Sequence, residues 1–106
     1  MINYFRWLEE WYKSKCDGDW EHMYGVRIDT LDNPGWYVTI DLADTEMENK
    51  EFSKLRIDNS DDDWIICFVE KGQFKGSGDP NKLEGIIRVF KEWVDSSQIE
   101  ENKTKP

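Results

Sequence analysis

The spacing of apolar residues changes period twice along this chain, and no other feature constrains its fold as strongly. Residues 4–12 place Tyr4, Trp7, Leu8 and Trp11 at i, i+3, i+4 and i+7, with Phe5 and Tyr12 beside them and Arg6, Glu9, Glu10 and Lys13 outside. A helix with one apolar face is predicted there. It stops at Cys16-Asp17-Gly18-Asp19, where Gly18 supplies the conformational freedom needed just past a helix end. From Tyr24 the period is two. Tyr24, Val26, Ile28 and Thr30 share one face, with Arg27 and Asp29 on the other. Trp36, Val38, Ile40 and Leu42 then point inward against Tyr37, Thr39 and Asp41. Asp32-Asn33-Pro34-Gly35 between the two runs offers a side-chain acceptor, a fixed φ and a residue free to take positive φ, so a hairpin is predicted.

Residues 43–51 are polar and acidic without a clear period and read as a loop or short irregular helix. A third strand is expected over 52–58, where Leu55 and Ile57 alternate with Lys54, Arg56 and Asp58, followed by a turn at Asn59–Asp63. The nearly continuous apolar run Trp64–Val69 reads as a central strand covered on both faces, and 73–75 as a short edge strand. Gly76-Ser77-Gly78 reads as a connector to a second helix, with Asp79 as N-cap and Pro80 in the first helical position. Leu83, Ile86, Ile87, Phe90, Trp93 and Val94 give that helix its apolar stripe, and it is expected to end near Asp95. Each helix has one stripe to bury, so both are expected on one face of an antiparallel meander of about four strands. The result is a single α+β domain over 1–95 with a flexible tail over 96–106. A chain of 106 residues leaves no room for a second folded unit.

Mean hydropathy of −0.83 would suit a disordered chain, but fifteen aromatic residues, six of them Trp, demand a packed core. Five tryptophans fall within helix or strand patterns; Trp20 is placed by neither period. The net charge of −9 argues against binding nucleic acid, whose phosphates need clustered cations. No apolar run approaches the ~18 residues of a membrane span, and the start MINYFRWLEEWY has acids where a signal peptide would stay apolar. A cytoplasmic protein is expected, with Cys16 and Cys67 as free thiols.

The densest polar cluster is Cys16-Asp17-Gly18-Asp19-Trp20-Glu21-His22. A Cys–His pair can act as nucleophile and base, which makes Cys16, Asp19 and His22 the candidate set for a small enzyme or ligand-binding domain. No orienting group or oxyanion donor accompanies them, and a helix stop followed by a turn explains the same residues. Asp17-Gly18-Asp19 lacks the rest of a calcium loop, and Gly76-Ser77-Gly78 lacks the Lys-Ser/Thr of a phosphate-binding loop. Neither a metal nor a cofactor is expected. The acids are more informative: nine acids against three bases lie between 41 and 63, whereas 64–106 is neutral. Such a segment is either a solvated loop or a surface kept acidic for a basic partner.

Trp11-Tyr12, Cys16-Asp17-Gly18-Asp19-Trp20-Glu21-His22, Tyr24-Gly25-Val26, Thr30-Leu31-Asp32-Asn33-Pro34-Gly35-Trp36 and Ile40-Asp41-Leu42 together closely resemble the immunity protein 53 family. Gly78-Asp79-Pro80 and the closing helix with Trp93 extend the likeness over residues 4–95. The resemblance implies a small bacterial α+β protein, encoded beside a polymorphic toxin, that protects the producing cell by binding that toxin.

A non-enzymatic toxin inhibitor is therefore expected, working as a monomer without nucleic acid or membrane. If the toxin is a nuclease, its cleft is basic and an acidic domain can plug it. The candidate contacts are Asp44, Glu46, Glu48, Glu51, Asp61, Asp62 and Asp63, joined by Asp17, Asp19 and Glu21 if that turn lies on the same edge. The alternatives are the Cys16/Asp19/His22 enzyme or ligand-binding domain and a purely structural or oligomerisation module.

Overall fold

The structure is a computed structural model that describes the backbone of residues 1–104 and the side-chain surroundings of residues 1–98. Helix α1 (Tyr4–Lys15) starts at Asn3, whose side chain accepts the Arg6 N–H at 3.0 Å. The chain turns through Gly18 at φ 98° into a four-residue helix, α2 (Trp20–Met23). Strands β1 (Val26–Leu31) and β2 (Gly35–Asp41) form the predicted hairpin. Strands β3 (Leu55–Ser60), β4 (Asp63–Glu70) and β5 (Gln73–Gly78) follow, and α3 (Leu83–Thr104) closes the chain.

The α+β class and the helix-on-sheet arrangement are as expected, but there are five strands, and they do not run as one meander. The order is β1-β2-β5-β4-β3, all antiparallel: a hairpin and a three-strand meander joined where Trp36 faces Gly78 and Asp41 faces Gln73. The segment expected at the edge is thus the central strand, with Phe74 fully buried. Its Gly-Ser-Gly sequence hid it. A Cβ on Gly76 would lie 2.4 Å from Ile86 Cγ2, so glycine is what lets α3 press onto the sheet.

The core lies between that sheet face and the helices. Val38, Ile40, Ile65, Cys67 and Phe74 meet Ile86, Ile87, Phe90 and Val94 of α3 and Leu8 and Trp11 of α1. Phe90 sits at its centre, edge-on to Trp11 with ring centroids 5.0 Å apart and 5.1 Å from Phe74.

Other expectations are corrected. The run Trp64–Val69 is not covered on both faces: Ile65 and Cys67 reach the core, while Trp64, Ile66 and Phe68 lie half-buried on the face that carries no helix. Trp64 is accordingly not a core residue. Ile28, expected inward, is 42% exposed because β1 is an outer strand beside which α1 leaves a groove. Helix α3 begins at Leu83 rather than Pro80. The Asp79 carboxylate instead accepts the Asn81 N–H at 2.8 Å and closes a turn ahead of the helix. The same helix continues past Asp95 to Thr104, and residues 105–106 of the expected tail lie outside the described residues.

Candidate functional site

Residues 43–51 form turns with neither helix nor strand, the loop rather than the short helix of the two readings, yet three indole N–H groups clip the segment in place. Trp20 Nε1 donates to the Ala43 carbonyl at 2.8 Å, Trp11 Nε1 to Glu46 Oε1 at 3.1 Å, and Trp93 Nε1 to the Glu51 carbonyl at 2.8 Å. Between these clips Met47 is fully buried in the core, and Thr45 Oγ1 accepts the Met47 N–H at 3.1 Å. Trp20, unplaced by periodicity, is 3% exposed and packs edge-on to Trp11 and Tyr12. Glu46 also pairs with Lys15, whose ammonium stands 5.1 Å from the Trp11 ring centre. Burial pushes the Glu46 carboxyl up, but Lys15 and the N–H donors outweigh it and hold the group below its ordinary value.

The turn between α1 and α2 is built by its own acids. Asp17 Oδ1 accepts the N–H groups of Asp19 and Trp20, both at 2.9 Å, and those bonds hold its pKa down. The Glu21 carboxylate reaches back to the Asp17 and Gly18 N–H groups at 3.0 and 2.9 Å. Its pKa is lowered by its own backbone N–H and by those two donors, against a rise from burial.

Because Trp20 is tied to Ala43, this turn stands beside the acidic loop, and the condition that it share the loop's edge is met. Asp17, Asp19, Trp20, His22, Met23 and Asp44 surround an open hollow of about 500 Å3. The Asp19 and Asp44 carboxylates have no partner among the described residues. Glu48 accepts the Asp44 N–H at 3.1 Å. Met23, 64% exposed, adds an apolar edge that the sequence did not mark.

The ten candidate acids do not form one surface. Asp61 and Asp62 occupy the β3–β4 turn and Asp63 opens β4, at the opposite end of the sheet, about 20 Å away along the strands at ~3.3 Å per residue. Asp63 pairs with Lys82 at 2.7 Å and accepts from Asn59 at 3.1 Å, which lowers its pKa. Asp61 borders a second hollow of about 540 Å3, floored by Trp64 and Ile66 and rimmed by Asn33, Asp58 and Ser60. Glu51 lies elsewhere again, beside Phe52, Val89 and Trp93. Trp64 was missed as a surface residue, although strict alternation through the run Trp64–Val69 would have sent Trp64 and Ile65 to opposite faces; Asp58 lies on the polar side of β3, as its alternation with Ile57 predicts.

Among the described residues, no side-chain hydrogen bond joins Cys16, Asp19 and His22 to one another, and the hollow lined by Asp19 and His22 is not lined by Cys16. Cys16 Sγ donates to the Tyr12 carbonyl at 3.4 Å. Both cysteines are free, and burial pushes the Cys67 thiol up to about 12. Among the described residues no group of three His, Cys, Asp or Glu side chains is placed to hold a metal ion, and no helix is long and apolar enough to cross a membrane.

The family model described as immunity protein 53 matches residues 5–95. No curated protein and no solved structure matches the chain.

Proposed function

This chain belongs to the immunity protein 53 family, and from that premise we propose that it binds and neutralises a cognate bacterial toxin, with the acidic hollow at the α1–α2 turn as the contact surface. The observation that carries the location is the meeting of Asp19 and Asp44, two carboxylates without internal partners, over a loop that three indoles fix. A surface already ordered before contact loses little entropy on binding. Acids presented this way accelerate encounter with a basic cleft and orient it, and the exposed Met23 supplies apolar contact at the rim. Glu21 and Glu48 serve this surface by holding its backbone N–H groups and by adding to its field, and Glu46 ties the loop to the Trp11 indole and Lys15.

The test is association kinetics with the toxin domain encoded beside this protein. Reversing Asp19 and Asp44 to Lys is expected to slow association by about tenfold or more and to flatten its salt dependence. Reversing Asp61 and Asp62 is expected to change the rate by less than about twofold, because ~20 Å exceeds a screening length of roughly 8 Å. The opposite pattern would move the contact to the other end of the sheet. Undiminished rate with both pairs reversed would end the electrostatic mechanism.

A further inference from the structure

The free edge of β1 is complementary to itself. Gly25 accepts the Asp41 N–H at 3.0 Å, so Gly25, Arg27 and Asp29 occupy the positions bonded to β2. By alternation, the N–H and C=O groups of Val26, Ile28 and Thr30 face away from the sheet. On the helix side, Ile28 is 42% exposed, next to Phe5 at 43% and Tyr12 at 38%. These three line an apolar groove of about 300 Å3 completed by Leu8, Glu9 and Val26. An open edge beside exposed apolar side chains is a template for strand addition.

We propose that a second copy of this chain pairs with β1, antiparallel, about a two-fold axis at Ile28, giving one continuous sheet across a dimer in place of the monomer expected from the sequence. Strand geometry and charge complementarity together point to this occupant and fix the axis. Outward-facing groups must meet outward-facing groups, so the axis has to pass through a residue rather than between two. An axis at Arg27 sets that residue against its own copy, and an axis at Asp29 does the same with acids; both are repulsive. At Ile28, Arg27 of each copy faces Asp29 of the other, at a Cβ separation of about 4.5–5.5 Å. Axes nearer either end overlap fewer residues of a six-residue strand.

Asp29 has no partner among the described residues, and the Arg27 side chain is 63% exposed, 3.6 Å from Asp41. The same axis brings the two Ile28 side chains together between the Phe5 and Tyr12 rings, covering the groove. Each acidic hollow lies toward the Val26 end of its own β1, so the two hollows fall at opposite ends of the shared edge and stay open.

Sedimentation equilibrium on the full chain tests this. The mass is expected to rise with concentration from 12.7 kDa toward twice that value. Arg27→Asp and Asp29→Arg are each expected to weaken the dimer by about tenfold or more, and the double exchange Arg27→Asp with Asp29→Arg to restore it to within about threefold. Ile28→Pro removes an edge-facing N–H that bonds nothing within the sheet, together with a 42% exposed side chain at the groove, and is expected to leave a folded monomer, which keeps the test decisive should Arg27→Asp unfold beside Asp41. A mass fixed at 12.7 kDa up to about 1 mM overturns the proposal. So does a dimer indifferent to the charge exchange, or a chain that pairs its β1 edge only with the toxin domain.

Discussion

Asp79 and Trp64 hold each other through two hydrogen bonds: the Trp64 N–H donates to Asp79 Oδ2 at 2.9 Å, and the Asp79 N–H to the Trp64 carbonyl at 3.2 Å. The same fully buried carboxylate takes the Lys82 ammonium at 2.7 Å and the Asn81 N–H at 2.8 Å. It therefore joins the start of β4, the end of β5 and the approach to α3. Lys82 and the N–H donors overcome the burial that opposes them and hold the Asp79 pKa at about 2, below its ordinary 3.8. Since the native state binds its proton less readily than the unfolded chain, Asp79 contributes stability that is full above pH 3.8 and lost as pH falls through about 2. Denaturant titrations below pH 4 are expected to show a shallower acid loss in Asp79→Asn, which is also less stable at neutral pH. Glu46 and Asp63, also lowered, preserve part of the slope. An unchanged slope would mean that the Lys82 pair does not persist in solution.

Gly76 marks how closely α3 approaches the sheet. Gly76→Ala places a methyl group 2.4 Å from Ile86 Cγ2 and 3.4 Å from Cys67 Sγ, and is expected to cost about 1–3 kcal/mol by urea unfolding. Ile86→Ala removes the clashing Cγ2, so the double variant is expected to lose less than the sum of the singles. Strict additivity would show that the strand moves away rather than pressing on Ile86.

Periodicity located the longer elements whose burial is carried by their own side chains: α1 from Tyr4, Trp7, Leu8 and Trp11, the hairpin from Val38 and Ile40, and α3 from Ile86, Phe90 and Trp93; it missed the four-residue α2, whose single buried residue, Trp20, makes no period. It misplaced β5, because that strand meets the helix with Gly76 and a missing side chain carries no hydrophobic signal. Trp64 was misjudged for the converse reason: a strand bare on one face can still bear large apolar residues there. At the site, the sequence marked the acids but not which of them share a surface. Asp44 and Asp61 are seventeen positions apart in one acidic stretch, yet β3 and the loop before it carry them to opposite ends of the sheet. Asp19 and Asp44 line one hollow because an indole reaches Ala43, a contact with no local trace in the sequence.

Trp20→Phe separates that indole clip from the ring that bears it. Phenylalanine keeps an aromatic ring against Trp11 and Tyr12 but cannot donate to Ala43, and the loss is expected to be about 1–3 kcal/mol. Amide exchange over residues 43–48 should quicken more than in β2, since the clip is local. Met47→Ala is expected to cost more, about 2–5 kcal/mol, because its side chain is fully buried among core residues. Equal exchange rates in Trp20→Phe and the parent would assign the loop's order to Met47 alone.

The two thiols should report on different motions. Cys67 lies on β4 with no exposed surface, and burial raises its pKa to about 12, so neither access nor thiolate is available in the native state. Cys16, at the end of α1, is partly exposed. An alkylating reagent in excess near pH 8 is therefore expected to add one label quickly at Cys16 and a second at Cys67 only through opening of the core. Because Cys67 Sγ lies against the Gly76 position, Gly76→Ala should accelerate the second label in proportion to its loss of stability while leaving the first unchanged. Rapid labelling of Cys67 in the parent protein would show that β4 opens without unfolding, and the packing of α3 on the sheet would then be looser than the 2.4 Å approach at Gly76 requires.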